Sequence, residues 1–274
     1  MISVGGASLG YDIIGEGRPL VCLHGYSIDR RMMKAAMEPL FDGKAEGWQR
    51  IYIDLPGMGE SRAPIGSASS DGLLDILLGF VDAVIPGRSF ALAGESYGGY
   101  LARGIVKKRA AAIDGVLLLC PMVEPDREKR ERPAFRLMAR DDAFCGSIPP
   151  RERRKFQSDM VVQTRRTWER FREEILPGLA AGDKDFQAVL HGPGYAFSFD
   201  VDALDPPCGK PALLLLGRQD DVVGYRDAWR LVENFPRATI AVLDRAGHNL
   251  QIEQERLFAV LADEWLQRMQ ESLA

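Results

Sequence analysis

Gly94-Glu95-Ser96-Tyr97-Gly98 has the form G-x-S-x-G. A serine flanked by glycines at that spacing can sit on a turn too tight for neighbouring side chains, its hydroxyl raised to attack a carbonyl carbon. A serine hydroxyl is a weak nucleophile until a base takes its proton. The chain offers three histidines for that duty, His24, His191 and His248. His248 stands in Ala246-Gly247-His248-Asn249, directly after an apolar run. His24 also ends an apolar run, but the Gly25-Tyr26 that follows suggests another duty. His191, in His191-Gly192-Pro193-Gly194, reads as a surface histidine. The base needs an orienting carboxylate, and Asp220 and Asp221 in Gly217-Arg218-Gln219-Asp220-Asp221-Val222-Val223 can each serve. Glu95 could tune the histidine, but reads better as a satisfied local hydrogen-bond partner.

The elements that must carry these residues are legible as short apolar runs alternating with helical patterns. Strands are expected at Leu20-Val21-Cys22-Leu23, Arg50-Ile51-Tyr52-Ile53, Phe90-Ala91-Leu92-Ala93, 115–119, 212–216 and 239–243. Such runs suit strands covered on both faces of a mostly parallel sheet. Helices are expected from Ser69 to Val84, Tyr97 to Lys108, Tyr225 to Asn234 and Gln254 to Met269, with Pro86-Gly87 stopping the first. Ile2 to Ile14, with Gly5-Gly6 inside, reads as an antiparallel hairpin at one sheet edge. Ser96 then follows one strand and opens a helix. Asp220 and His248 follow two others, so all three gather at the carboxyl edge of one sheet, where α/β proteins place their chemistry.

Between Pro121 and Pro207 no buried-strand pattern is found. Phe156, Met160, Gln163, Thr167 and Phe171 are spaced for one face of a single helix, widened by Val161 and Trp168. This stretch reads as helices inserted over the sheet. Phe135, Met138, Met160 and Trp168 suit either an apolar pocket or the core of the insertion. From Pro121 to Leu179 there are 14 Lys/Arg and 11 Asp/Glu, with signs interleaved. That argues for a solvated helical surface rather than a nucleic-acid or lipid patch.

The 274 residues are 46% hydrophobic and 27% charged, with net charge −4. That balance calls for neither nucleic acid nor an anionic membrane. No run reaches the ~18 apolar residues of a membrane helix, and the N-terminus lacks a secretory pattern, so a cytoplasmic protein is expected. Cys22, Cys120, Cys145 and Cys208 form no C-x-x-C pair and are expected to be free thiols. No metal-ligand cluster and no cofactor motif is found. The Gly57-Met58-Gly59 turn lacks the Lys-Ser/Thr of a phosphate loop. A homo-oligomer is compatible with the sequence but not readable from it.

Taken in order, Leu23-His24-Gly25-Tyr26, Asp54-Leu55-Pro56-Gly57-Met58-Gly59-Glu60-Ser61, Gly94-Glu95-Ser96-Tyr97-Gly98-Gly99, Gly217-Arg218-Gln219-Asp220 and Gly247-His248 resemble the α/β-hydrolase superfamily, in its lid-bearing branch of serine esterases and carbon–carbon bond hydrolases. The resemblance implies an α/β-hydrolase core over residues 1–121 and 208–274, and a helical cap over 122–207. It implies Ser96 as nucleophile, His248 as base and Asp220, whose spacing to Val222-Val223 fits the family, as acid. A minor family variant would place the acid at Glu124. By the same analogy the backbone N–H groups of Tyr26 and Tyr97 form the oxyanion hole, and Asp54–Gly59 is a structural turn. The implied activity is hydrolysis of an ester-type bond of a small, partly apolar molecule, without a cofactor. A carbon–carbon hydrolase of ring-cleavage diketones uses the same residues, and a binding protein of this fold with little turnover is a third reading. Ser96 in place of aspartate disfavours the related dehalogenases and epoxide hydrolases. The absence of a His-Gly-Gly-Pro loop disfavours a proline iminopeptidase.

Overall fold

The computed structural model describes residues 1–43 and 47–273. The chain opens with strands β1 (Ile2–Val4), β2 (Ala7–Leu9), β3 (Tyr11–Ile14) and β4 (Arg18–Leu23), followed by helix α1 (Arg31–Met37) and β5 (Trp48–Ile53). Helix α2 (Ser70–Val84), β6 (Phe90–Glu95), α3 (Ser96–Arg109) and β7 (Ile113–Leu119) follow. Next come β8 (Ala139–Arg140), α4 (Asp142–Ser147), α5 (Pro150–Asp159), β9 (Val162–Gln163), α6 (Arg165–Glu174), α7 (Leu176–Ala180) and α8 (Lys184–Leu190). The chain closes with β10 (Ala212–Gly217), β11 (Ala238–Leu243), α9 (Leu250–Glu253) and α10 (Glu255–Leu273).

Seven strands form the main sheet in the order β11-β10-β7-β6-β4-β5-β3. Every neighbour pair is parallel except β3 with β5. The interior strands β6, β7 and β10 are buried along their whole length, which is why they read as unbroken apolar runs. Edge strand β11 is only half-buried. In α2, Ser69 caps the first turn by accepting the Gly72 N–H at 3.0 Å, and Leu73, Leu74, Leu77, Phe80 and Val81 turn inward. These are the fold features of an α/β hydrolase.

Three expectations are corrected. The Gly5-Gly6 hairpin forms, with both glycines at positive φ, but β1 and β2 make their own two-stranded sheet. It is β3 that occupies the sheet edge. The chain leaves the hairpin at Gly10, whose N–H donates to Ser61 Oγ and whose carbonyl accepts the Asp54 N–H, each at 2.9 Å.

The single helix expected through Phe156 and Phe171 is two helices separated by a strand. The spacing of its apolar residues was helical, but β-branched Val161-Val162 favour an extended backbone. Thr164 and Thr167 then start a new helix through a reciprocal capping box. β9 pairs parallel with β8, so this stretch does contain strands, each of two residues. Met160 and Trp168 are core here, Trp168 packing edge-on to Phe156 at 5.3 Å, while Phe135 is exposed.

The helix expected over Tyr225–Asn234 is a 3-10 turn, Asp227–Leu231. Positive-φ Gly224 bars an earlier start, and the Asp227 carboxylate at the head of the turn is held by the Glu131 N–H and by Arg230.

Candidate active site

The elbow begins where β6 runs directly into α3. Ser96 has φ +52°, a left-handed conformation that a non-glycine residue adopts only under constraint. A side chain at Gly98 would collide with the backbone of Leu23 and His24, so the turn passes β4 only because that position is bare. Ser27 and Cys120 are the other non-glycine residues at positive φ, and all three lie at the carboxyl ends of neighbouring strands β4, β6 and β7.

Ser96, His248 and Asp220 are joined by hydrogen bonds. His248 Nε2 lies 2.9 Å from Ser96 Oγ, and Nδ1 lies 2.8 Å from Asp220 Oδ2. Asp220 is fully buried, and its Oδ1 accepts the N–H groups of Val222 and Val223 at 2.9 and 3.0 Å. This explains the apolar pair after the acid: the loop folds back so that their amides hold the carboxylate. It is Asp220, not Asp221, that bonds the imidazole; the Asp221 carbonyl accepts from Arg132, and its charge acts on His248 through space. Glu124 is tied to the Asp126 N–H and to Arg230. His24 is buried and structural, with Nε2 accepting the Leu55 N–H at 2.9 Å and Nδ1 donating to the Gly25 carbonyl at 2.7 Å. His191 is exposed and tilts over Tyr26 and Tyr195.

Tyr26 lies in the loop after β4, and Tyr97 lies in the first turn of α3, where an amide has no carbonyl one turn earlier in the helix to bond. Their side chains are occupied elsewhere. Tyr26 donates its hydroxyl to the Gln187 carbonyl at 2.7 Å, and Tyr97 pairs with Ser70 Oγ at 2.8 Å. The Tyr97 ring stacks on Tyr195 at 4.7 Å. Asp54 and its glycines form a structural turn, as expected: the buried Asp54 carboxylate takes the N–H groups of Arg30 and Glu60 and the Arg30 guanidinium.

Electrostatics at His248 are set by carboxylates on several elements. Burial alone would lower the imidazole's pKa, but Asp220, then Glu95 and Asp221, outweigh it and push the value up to about 9. Glu95 is buried beneath the elbow, with Oε1 3.3 Å from Nε2 and Oε2 without a hydrogen-bond partner among the described residues. Burial raises its pKa to about 7; His248 and the Gly25 amide oppose that rise, while Asp220 adds to it. Glu95 therefore faces the imidazole as well as the Gly25 amide, a wider role than that of the local hydrogen-bond partner expected.

Two features were not legible. Glu253, at the end of α9, is buried with no cation beside it. Its Oε1 accepts the N–H groups of Val161 and Val162 at 2.6 and 3.2 Å, and its Oε2 accepts the Gly247 N–H at 2.5 Å. One carboxylate thus ties the loop bearing His248 to the segment between β7 and β10. Burial pushes its pKa up to about 7 against the pull of those three amides. Cys120, expected to be a plain apolar filler, has its Sγ within 4.8 Å of donor atoms of Asp220 and His248. That trio is a poor metal site. The Asp220 and His248 atoms are spent on each other, and burial holds the thiol protonated, donating to the Gly247 carbonyl at 3.7 Å.

A model described as the alpha/beta hydrolase family matches residues 20–260, from within β4 to within α10. The chain belongs to that family and is a hydrolase. Among its relatives is a pimeloyl-acyl-carrier protein methyl ester esterase of Shewanella woodyi, 26% identical over 280 residues, covering 96% of this chain and 99% of that one. An alpha/beta superfamily hydrolase from Oenococcus oeni PSU-1 superposes with TM-score 0.88 at 32% identity, covering 96% of each chain. A meta-cleavage product hydrolase from Pseudomonas fluorescens IP01 shares the fold, with TM-score 0.69 at 23% identity over 96% of each chain. Among the described residues no helix is long and apolar enough to cross a membrane.

Proposed function

We propose that this hydrolase cleaves carboxylic esters of small, partly apolar molecules by acyl transfer through Ser96. The observation that carries the reading is the unbroken run from Ser96 Oγ to His248 to Asp220, at 2.9 and 2.8 Å. His248 takes the Ser96 proton as the hydroxyl attacks the ester carbonyl. Asp220 fixes the imidazole tautomer and stabilises its charged form. The tetrahedral oxyanion sits between the Tyr26 and Tyr97 amides, where two preorganised donors contribute a few kcal/mol each. His248 then protonates the leaving alcohol, and water releases the acyl group by the reverse sequence. Residues 122–207 act as the cap over the reacting carbon. Tyr26 packs edge-on against Tyr97 and Tyr195, with His191 tilted over it, an aromatic cluster beside the elbow. The likeness to a methyl ester esterase supports ester chemistry, and four free, buried thiols support a cytoplasmic setting.

The test is active-site labelling with a fluorophosphonate, run beside hydrolysis of p-nitrophenyl esters of increasing chain length. Ser96→Ala should abolish labelling and reduce hydrolysis by several orders of magnitude. Esterase activity that survives Ser96→Ala would refute the reading. A ring-cleavage diketone cleaved in preference to every ester would transfer the same residues to carbon–carbon hydrolysis.

A further inference from the structure

A second cleft opens beside the loop that carries Asp220. After β7 the chain runs as a strap, residues 127–136, across that loop. Arg130 and Arg132 donate to the carbonyls of Val222 and Asp221, and the Glu131 N–H donates to Asp227. The Glu131 carbonyl lies so close over Gly224 that a side chain there would collide with it. The strap is therefore pinned. Beyond the pins, Pro133 and Arg136 face Arg218 and Gln219 at the end of β10, Tyr225 and Arg226 of the Asp220 loop, and Val242 and Asp244 of β11 and the turn after it. They line an open cleft of about 380 Å³.

The charge in this cleft is unbalanced, and its arginines reach into solvent. Three arginines from three separate segments converge on it, against one aspartate, in a chain of net charge −4. Arg136, Arg218 and Arg226 make no hydrogen bond or ion pair through their guanidinium groups among the described residues. Arg30, Arg50 and Arg170, by contrast, each hold a carboxylate. Arg218 and Arg226 also lie over the ring of Tyr225, each 5.4 Å from its centroid. That shared ring holds two like charges near each other and restricts the motion a ligand would have to freeze. A guanidinium presents a planar fork of donors matched to phosphate oxygens. The cleft's mixed lining, with Val242 as its only aliphatic side chain besides Pro133, gives little purchase for an apolar ligand.

We propose that this cleft binds a phosphate-type oxyanion carried by a small molecule, with Arg136, Arg218 and Arg226 as its ligands. The site is separate from Ser96 and does not depend on the ester reading. Gln219, which lines it, precedes Asp220, so an occupant sits against the acid loop.

Isothermal titration of the full-length protein with pyrophosphate and with orthophosphate tests this directly. Pyrophosphate should bind saturably at one site per chain. Binding should weaken as salt rises, and by at least tenfold in the double variant Arg218→Gln/Arg226→Gln. Arg166→Gln, a substitution on α6, should bind as the wild type does. Equal binding of orthophosphate would identify the ligand group as a single phosphate, and tighter pyrophosphate binding a diphosphate. The melting temperature and the hydrolysis of a short neutral ester should stay within twofold or a degree or two of wild type, separating a lost site from a lost fold. The proposal is overturned if neither anion saturates the wild type. It is equally overturned if the double variant binds as wild type does, or if Arg166→Gln loses as much.

Discussion

The carboxylate of Glu253 ties the loop bearing His248 to Val161 and Val162, and Glu253→Gln isolates that contact. Glutamine has the same shape but one acceptor oxygen in place of two. In the wild type one oxygen serves Val161 and Val162, and the other serves Gly247. If the amide oxygen faces the valines, the amide NH2 points at the Gly247 N–H, donor against donor; if it flips, two valine N–H groups lose their acceptor. Each buried N–H left unpaired costs about 1–3 kcal/mol, so the substitution should destabilise by at least that amount. For a chain this long, about 1 kcal/mol moves the melting temperature roughly 2 °C, giving a fall of roughly 2–6 °C by calorimetry at pH 8, where the wild-type carboxylate is charged. Because Gly247 precedes His248, the relaxed orientation should retain the donor clash at the histidine loop. A displacement of even ~1 Å there can lower kcat up to about 100-fold, with KM for a short ester little changed. Hydrogen exchange should quicken at Gly247, Val161 and Val162 together. A variant that melts within a degree of wild type, with unaltered kcat, would show that the three bonds do not hold the loop.

Other outcomes follow from the same geometry. Asp220→Asn should lower kcat by about four orders of magnitude, because the imidazole loses its tautomer control, whereas Asp221→Asn should be far milder; the reverse order would move the role. The pH profile of kcat/KM should climb from neutral towards about pH 9, since His248 must shed its proton to act as a base and nearby carboxylates hold that proton on. Glu95→Gln removes one of those carboxylates, so the acidic limb should shift to lower pH. A limb that stays in place would mean Glu95 does not act on the imidazole.

The turn at Ser96 was legible because it is local: strand, tight turn and helix are written within a dozen residues. His248 and Asp220 were legible because each follows an apolar run, and parallel strands send all their carboxyl ends to one edge. Glu253 could not be found that way. Its partners Val161 and Val162 lie over 90 residues away, and nothing in Gln251-Ile252-Glu253 distinguishes a buried acceptor from a surface charge. The division of Phe156–Phe171 was hidden for a related reason. Helical spacing survives on both sides of Val161-Val162, and the Glu253 carboxylate that takes the two amides freed by the break is remote in sequence. Cys120 reads as apolar filler by composition, and only the assembled sheet sets it beside His248.

The pairing of β7 with β10 brings together strands separated by residues 120–211. That span is roughly three doublings of the dozen residues a parallel crossover requires. Each doubling adds about 0.6 kcal/mol to the entropy of closure, so joining these strands is about 2 kcal/mol harder than a minimal connection would make it. A chain emerging from the ribosome can assemble β3 through β7 with the Ser96 elbow already shaped, while β10, β11 and the loops bearing Asp220 and His248 are still unmade. Ser96 is thus placed early and its partner His248 follows 152 residues later, so the order of synthesis keeps Ser96 without that imidazole until the second half of the sheet has been made.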